Sequence, residues 1–352
     1  MLSCLIPGPK AHKDLNTFLY PIVEKLQLLG KGVSGIFNSF TQTNCTLRAH
    51  LLVVSGDGPA SAEAICMKKP GQAFRPCHQC QIKRKRNAYC TPYYLPHTPE
   101  ELDNLTLRAH LREIIQLFDT VSHSAYGQEL STNTGIVKAT ILLQLPTLSF
   151  PQSFPLDLMH CVLQNLTPLI HREMGGQKQT NLKAKLAETK YRKRVQQDFN
   201  IPTNTVFLRG HLIPPLPCII PEREWANIGQ CGRSNLVDLY LLGQGPRPIN
   251  TRYGGYKAME WEAFLVRDSL ALLSHYCDIN NEFKPYLVNF KLLRTVCLQA
   301  KSWHISRSSI AELKLNCKEF VRTFEELYYR QETERLEVCR INNHSILHLG
   351  IY

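Results

Sequence analysis

Apolar residues spaced three and four apart run through "KAMEWEAFLVRDSLALLSHY", "FKPYLVNFKLLRTVCLQA" and "SIAELKLNCKEFVRTFEELYYRQ", and they commit residues 216–352 to helices. A helical period cannot be laid on a pleated strand, whose side chains alternate faces at every residue. Any sheet must come from elsewhere. The strongest β-favouring run is "TLRAHLLVVS", Thr46 to Ser55, closed by the turn chemistry of "GDGP". It reads as a buried strand with Asp57 just past its end. Ahead of it, Leu15, Phe18, Leu19, Ile22, Val23 and Leu26 recur at helical spacing, with Asp14 placed to cap the helix and Gly30 to end it. The expected fold class is α+β and helix-dominated.

Residues 71–98 break the periodic pattern with "RPCHQCQIKRKR" and "YYLPH", a loop-like segment that reads as a small basic knuckle. Helical spacing returns in "PEELDNLTLRAHLREIIQLFDT", with acids in the first turn. "DLMHCVLQNLTPLIHREM" also opens on an acid suited to a helix N-terminus, and Pro168 should kink or shorten that helix. A basic segment, "KAKLAETKYRKRV", and a Pro-rich connection from Pro202 to Pro221 follow. The expected organisation is a core region at 1–70, the knuckle at 71–98, a mixed segment carrying the Asp-x-x-His helix at 99–215, and a helical region at 216–352. No internal repeat or low-complexity tract interrupts it.

The chain's 352 residues, 43% hydrophobic and 20% charged, can build a sizeable core and are not those of a disordered protein. No apolar run is long enough for a membrane span and the N-terminus carries no export signal, so a soluble, non-secreted protein of the nucleus or cytoplasm is expected. Thirteen cysteines, an odd number, then argue against a disulfide framework. A formal charge of +12 favours polyanions, nucleic acid foremost.

Four constellations bear chemistry. Asp57 at the exit of a strand is where a catalytic carboxylate reaches solvent on a rigid backbone, although Gly-Asp-Gly-Pro is equally good turn chemistry. The Cys77-x-x-Cys80 pair has the spacing that lets two sulfurs face one Zn²⁺; Cys90, His97 and His160 are candidates for the remaining ligands. The alternative is a pair of unligated loop cysteines. Asp157 and His160, three apart on one helical face, suit an acid orienting an imidazole, two ligands of one ion, or a capping acid beside a polar histidine. Arg75, Lys83, Arg84, Lys85 and Arg86, with Tyr89, Tyr93 and Tyr94, offer phosphate contacts and stacking rings, or a solvated basic loop. Lys190, Arg192, Lys193 and Arg194 form a second basic cluster of the same kind. No Gly-rich phosphate loop and no Gly-x-Ser-x-Gly elbow is present, which argues against kinase-like and α/β-hydrolase chemistry.

Taken in order, "LIPGPKAHKDLNTFLYPIVEKLQLLGKGV", "LRAHLLVVSGDGPASAEAI", "PCHQCQI", "YYLP", "LLQLPTLSFPQSFPLDLMHCVLQNLTPLI", "YKAMEWEAFL" and "RLEVCRINNHSILHL" resemble the fungal transposases of the CACTA (En/Spm-like) group. The resemblance spans nearly the whole chain. It implies a partial RNase H-like core with a zinc-knuckle-like loop and a large helical insertion. It also implies DNA as partner, and leaves homo-oligomerisation open. By the same resemblance Asp57 matches the second acid of an Asp-Asp-Glu triad, and Asp157 with His160 match the family's Asp-x-x-His signature.

The implied ancestral reaction is DNA strand cleavage and transfer by two Mg²⁺ or Mn²⁺ ions held on three carboxylates. Three strands and a first acid precede the opening helix in that fold, and the third acid is expected beyond "HSILHL". The resemblance therefore implies a catalytic domain truncated at both ends and inactive alone, with an exposed sheet edge. Glu260 is an alternative third acid. For zinc, a structural site on Cys77, Cys80 and His160 is expected, with Asp157 as a candidate fourth ligand. A non-enzymatic, zinc-stabilised DNA-binding or scaffold protein is the rival reading.

Overall fold

A computed structural model describes residues 14–70, 74–85, 95–109, 111–121, 123–175, 218–234 and 247–350. They are helix-dominated, with a single two-stranded sheet among them, and fall into two compact units. None of the described helices is long and apolar enough to cross a membrane.

The first unit draws on residues up to Lys83 and on Leu105–Asp157. Its first helix, α1 (Leu15–Lys31), starts where the sequence places it, with the Asp14 carboxylate accepting from the Asn16 backbone N–H. It ends two residues later than expected, because Gly32, at φ 106°, and not Gly30 supplies the backbone turn. An antiparallel ribbon follows, β1 (Val33–Asn38) and β2 (Thr43–Leu47), with Ile36 opposite Cys45 and a register irregularity between Val33 and Ile36. Nearly every residue of the ribbon is exposed, and Phe40 at its tip is 94% exposed.

The run from Thr46 to Ser55 is not the expected buried strand. Only Thr46 and Leu47 belong to β2; Arg48 to Asp57 form an extended segment outside any sheet, in which Leu52 and Val53 face solvent. The physical reason is visible in its hydrogen bonds. The Val54 N–H donates to the Ser153 carbonyl at 2.8 Å and the Leu51 carbonyl accepts from the Thr147 hydroxyl, so isolated bonds to a loop replace a ladder. The segment leads into α2 (Gly58–Ala64).

Behind α2, Leu111, Ile115 and Phe118 line one face of α3 (Leu111–Val121) at helical spacing, and pack in the same core as Ile65, Ile136 and Phe154. The helix α4 (Ala125–Thr134) is capped by Ser124 and closed by Gly135 at φ 82°. The single helix expected from Pro99 onward is divided. Pro99–Asp103 forms one turn with a Thr98/Glu101 capping box, and the chain then leaves the helix at Asn104 before α3 begins. The intervening Thr106–Arg108 backbone is used elsewhere: Cys80 bridges Leu107, the Gln81 N–H donates to the Thr106 carbonyl, and the Arg108 N–H to the Gln79 carbonyl.

The second unit, Arg84–Asn104 with Leu158–Ile351, is helical as its periodicity predicts. The kink expected at Pro168 takes the form of a change in register: Met159–Leu166 is a π-helix, and α-helical bonding resumes in α5 (Thr167–Glu173) with Pro168 in its first turn. Proline has no N–H to give, and a first-turn position asks for none. After α6 (Glu222–Ser234) and α7 (Ser269–Ile279), the helices α8 (Lys284–Ala300) and α9 (Arg307–Phe324) form a helical hairpin. Phe290, Leu293 and Cys297 of α8 and Leu313, Cys317, Phe320 and Phe324 of α9 are all buried. The Asn289 amide donates to the Phe320 carbonyl and the Thr323 hydroxyl, giving that interface polar register. Helix α9 runs on into a π turn, Glu325–Tyr329, and stops at Arg330 in the left-handed region. A 3₁₀ segment, Thr333–Val338, leads to α10 (Ile341–Ser345), which tightens into a last 3₁₀ turn, Ile346–His348.

Candidate metal centre

The Cys77–Cys80 knuckle is a tight loop held from three sides. The Gln79 backbone N–H donates to the Cys77 sulfur at 3.4 Å, the bond that favours a thiolate at the first position of such a turn. His78 and Gln79 both contact the Phe154 carbonyl through their side chains, at 3.0 Å each. Arg108, only 3% exposed, donates its Nε to the carbonyls of Cys77 and Cys80 at 2.9 and 3.0 Å, and an Nη to that of Arg75. One buried guanidinium thereby fixes the loop and places a positive charge beside two sulfurs.

His344 and His348, both buried, sit four residues apart, the first on α10 and the second on the turn that continues it. That spacing puts two side chains on one helical face, and their Nε2 atoms are 3.1 Å apart. The ligand atoms of Cys77, Cys80, His344 and His348 all lie within 4.8 Å of one another, and all four residues are buried. This is a buried Cys₂His₂ cluster that could hold a metal such as zinc.

The donor chemistry fits that ion. C-x₂-C with H-x₃-H is a closed four-ligand set, and two imidazole nitrogens on a tetrahedral Zn²⁺ with bonds of roughly 2.0 Å stand about 3.3 Å apart. The thiols need a counter-charge. The hydrogen bond with Cys77, followed by burial, pushes the Cys80 thiol well above its ordinary pKa, and Arg108 only partly opposes this. A divalent cation supplies the charge that makes two buried thiolates tolerable.

The His344 ring is itself held. Its Nδ1 is 2.8 Å from Nε2 of His97, and the Nδ1 of His97 is 2.5 Å from a carboxylate oxygen of Glu325. The rings of His97 and His344 are 18° from coplanar with centroids 5.1 Å apart, which is the separation that an in-plane N···N hydrogen bond produces.

Of the zinc ligands expected from sequence, Cys77 and Cys80 belong to the cluster, while His160 and Asp157 are not among its four donors. His160 lies in the π-helical segment, half-buried, with its carbonyl accepting from the Asn165 amide. His97, a candidate ligand, stands behind a ligand instead. Cys90 and Arg86, the tyrosines at 89, 93 and 94, and the basic cluster from Lys190 to Arg194 lie outside the described residues. Among the basic residues, Lys83 and Lys85 are exposed and Arg75 is half-buried, donating to Gln81. Arg84 is 5% exposed, so its charge is turned away from solvent and is not placed to meet a phosphate.

Asp57 is half-buried at the head of α2, where one carboxylate oxygen accepts from the Ala60 N–H at 2.7 Å. It caps the helix. Among the described residues, no group of three or more metal-type donors includes it. Replacing Asp57 with Ala should cost about 1 kcal/mol of stability while Asp57→Ser restores most of it, as a capping role requires; urea melts of the two variants decide this. Glu260, the alternative third acid, is fully engaged: Arg247 clamps both its oxygens, at 2.7 and 2.5 Å, and the Lys257 N–H donates to it at 2.8 Å. The Arg247 guanidinium holds its carboxyl below the usual range. Glu260 is thus engaged by a helix N-terminus and a salt bridge.

In comparison with known proteins, no family model, no curated protein and no solved structure matches the chain.

Proposed function

We propose that this chain is a transposase-derived DNA-binding protein whose fold is held by a structural Zn²⁺ on Cys77, Cys80, His344 and His348. The buried, closed donor set carries the zinc reading: four protein ligands leave no position for a substrate, and structural zinc sites have that composition. Residues far apart in sequence contribute to one ion, which is how a single metal stabilises a large loop-rich chain. The resemblance of the ordered segments to CACTA transposases supports the ancestry. The net charge of +12, with Lys83 and Lys85 exposed beside the knuckle, supports binding to a phosphate backbone.

The test has two parts. Purified, folded protein should carry about one zinc per chain, a stoichiometry that follows from one four-ligand site; less than about half an equivalent would count against it. Affinity for duplex DNA, read by fluorescence anisotropy, should fall steeply between low and physiological salt. A flat salt response would remove DNA from the proposal and leave a zinc-held scaffold.

DNA strand cleavage by Mg²⁺ or Mn²⁺ is the second reading, favoured by the half-exposed Asp57 carboxylate on the segment that resembles the family's acid-bearing motif. Divalent-dependent nicking of DNA that disappears in Asp57→Ser, which keeps the cap, would establish it.

A further inference from the structure

Behind the metal-facing histidines lies a buried chain of three groups that the zinc reading does not by itself require. Glu325 is 4% exposed and His97 4% exposed, and no solvent competes for their hydrogen bonds. Both oxygens of Glu325 accept from the same residue: Oε2 from the His97 backbone N–H at 2.9 Å, Oε1 from His97 Nδ1 at 2.5 Å. His97 is itself located from both sides. The Leu95 N–H donates to the Cys339 carbonyl at 2.8 Å, and Thr98 opens the capping box of the next turn.

These contacts accommodate a single-file run of hydrogen bonds from His344 through His97 to Glu325. A carboxylate accepts and does not donate, and with Glu325 in that form the contact at 2.5 Å is made by a proton on His97 Nδ1. In that arrangement Nε2 of His97 accepts, and Nδ1 of His344, 2.8 Å from it, donates. His344 then carries its proton on Nδ1, and its Nε2 offers a lone pair. That nitrogen is the one 3.1 Å from Nε2 of His348 and within the Cys₂His₂ cluster.

We propose that Glu325 and His97 are positioning residues for the metal centre: through two hydrogen bonds they set the tautomer of His344 and aim its Nε2 lone pair at the ion. The inference rests on the metal reading above. Carboxylates that orient a metal-bound histidine directly are a general device, and their loss typically weakens metal binding 10- to 100-fold. Here the carboxylate acts across an intervening imidazole. Glu325→Gln should invert the chain. The amide oxygen would take the His97 backbone N–H and its NH₂ would donate to Nδ1, moving the His97 proton to Nε2. That proton would then be donated to His344 Nδ1, and His344 would carry its own proton on the nitrogen that must bind metal.

The experiment measures Co²⁺ and Zn²⁺ affinity of the full chain by competition with a chromogenic chelator, for the native protein, Glu325→Gln and the Cys77→Ser/Cys80→Ser double variant. We expect one equivalent in the native protein, a 10- to 100-fold loss in Glu325→Gln with the sulfur-to-cobalt charge-transfer band still present, and loss of that band in the double variant. Native protein that binds no metal overturns the zinc reading and this inference with it. Native binding with an affinity unchanged within threefold in Glu325→Gln overturns the relay alone. Long-range ¹H–¹⁵N spectra of the zinc-loaded native protein give a check that needs no variant to fold. Protons on Nδ1 of both His97 and His344 are the expected result, and a proton on His97 Nε2 refutes the relay.

Discussion

On the proposed zinc reading, removing the ion should lower the protein's stability by more than any single core substitution. The apparent free energy of zinc binding to small Cys₂His₂ modules is about 10–16 kcal/mol near neutral pH, against about 5–15 kcal/mol for the whole stability of an ordinary domain. The four ligands are buried. Without the ion, the charge that would hold Cys80 as a thiolate is gone. The urea midpoint should therefore fall sharply on adding a strong chelator and recover when Zn²⁺ is returned in excess. His344→Ala and Cys77→Ser should mimic the chelated protein, and chelator should have little further effect on either. Equal midpoints with and without chelator would show that the cluster is held by packing alone.

The second large effect concerns a histidine that is not among the four metal-type donors. His171, on α5, is fully buried among Trp225, Tyr253, Trp261 and Phe264, its ring centroid 4.7 Å from the nearest of them, and neither ring nitrogen has a hydrogen-bond partner among the described residues. Burial alone pushes its pKa down to about 3. The folded protein thus keeps His171 neutral where the unfolded chain, with a pKa near 6.5, takes up a proton. Because the unfolded state binds more protons, stability from this group is fully present above about pH 6.5 and is lost as the pH falls from there toward 3. By pH 4 the loss amounts to roughly 3 kcal/mol, at 1.36 kcal/mol per pH unit.

His171→Phe removes that loss and also removes two buried nitrogens whose lack of partners costs about 1–3 kcal/mol each. The variant should match or exceed the native protein at pH 7, and its advantage should widen as pH is lowered to 4. Acid also releases metal, so the informative quantity is the difference between the two proteins at each pH, measured by urea unfolding in chelator. A constant difference would mean that His171 stays unprotonated in the unfolded chain as well, or titrates when folded.

Much of this architecture was legible because it is local. The Asp14 cap, the apolar stripe of α1 and the spacing through α8 and α9 are short-range patterns, and each became the element it predicts. The β-favouring run before Asp57 misled because β-propensity only describes a side chain that fits a pleated surface, and no strand among the described residues pairs with Arg48–Asp57. Half of the metal cluster was visible as Cys77-x-x-Cys80. The other half is equally present as His344-x₃-His348, a ligand spacing on one helical face, but an isolated pair of histidines at that spacing is as common on an ordinary helix. His160 carries the same ambiguity through its Asp-x-x-His spacing. Which histidines meet the thiols is a tertiary fact, and spacing along the chain does not encode it. Arg108 and Glu325 gave no signal at all: each is a charged residue in a helical-looking stretch, where a solvated surface is the ordinary expectation.

The distance along the chain between the two halves of the metal cluster sets an order of events during synthesis. His344 follows Cys80 by roughly 260 residues, and at about 5–20 residues per second that separates their emergence from the ribosome by on the order of ten seconds to a minute. Throughout that interval the knuckle can offer an ion two sulfurs and no imidazole from α10. A nascent chain halted anywhere in this window would present Cys77 and Cys80 to thiol-reactive reagents, and release of the finished polypeptide in the presence of zinc would close them off. Labelling of stalled against completed chains would time the moment at which the centre is made.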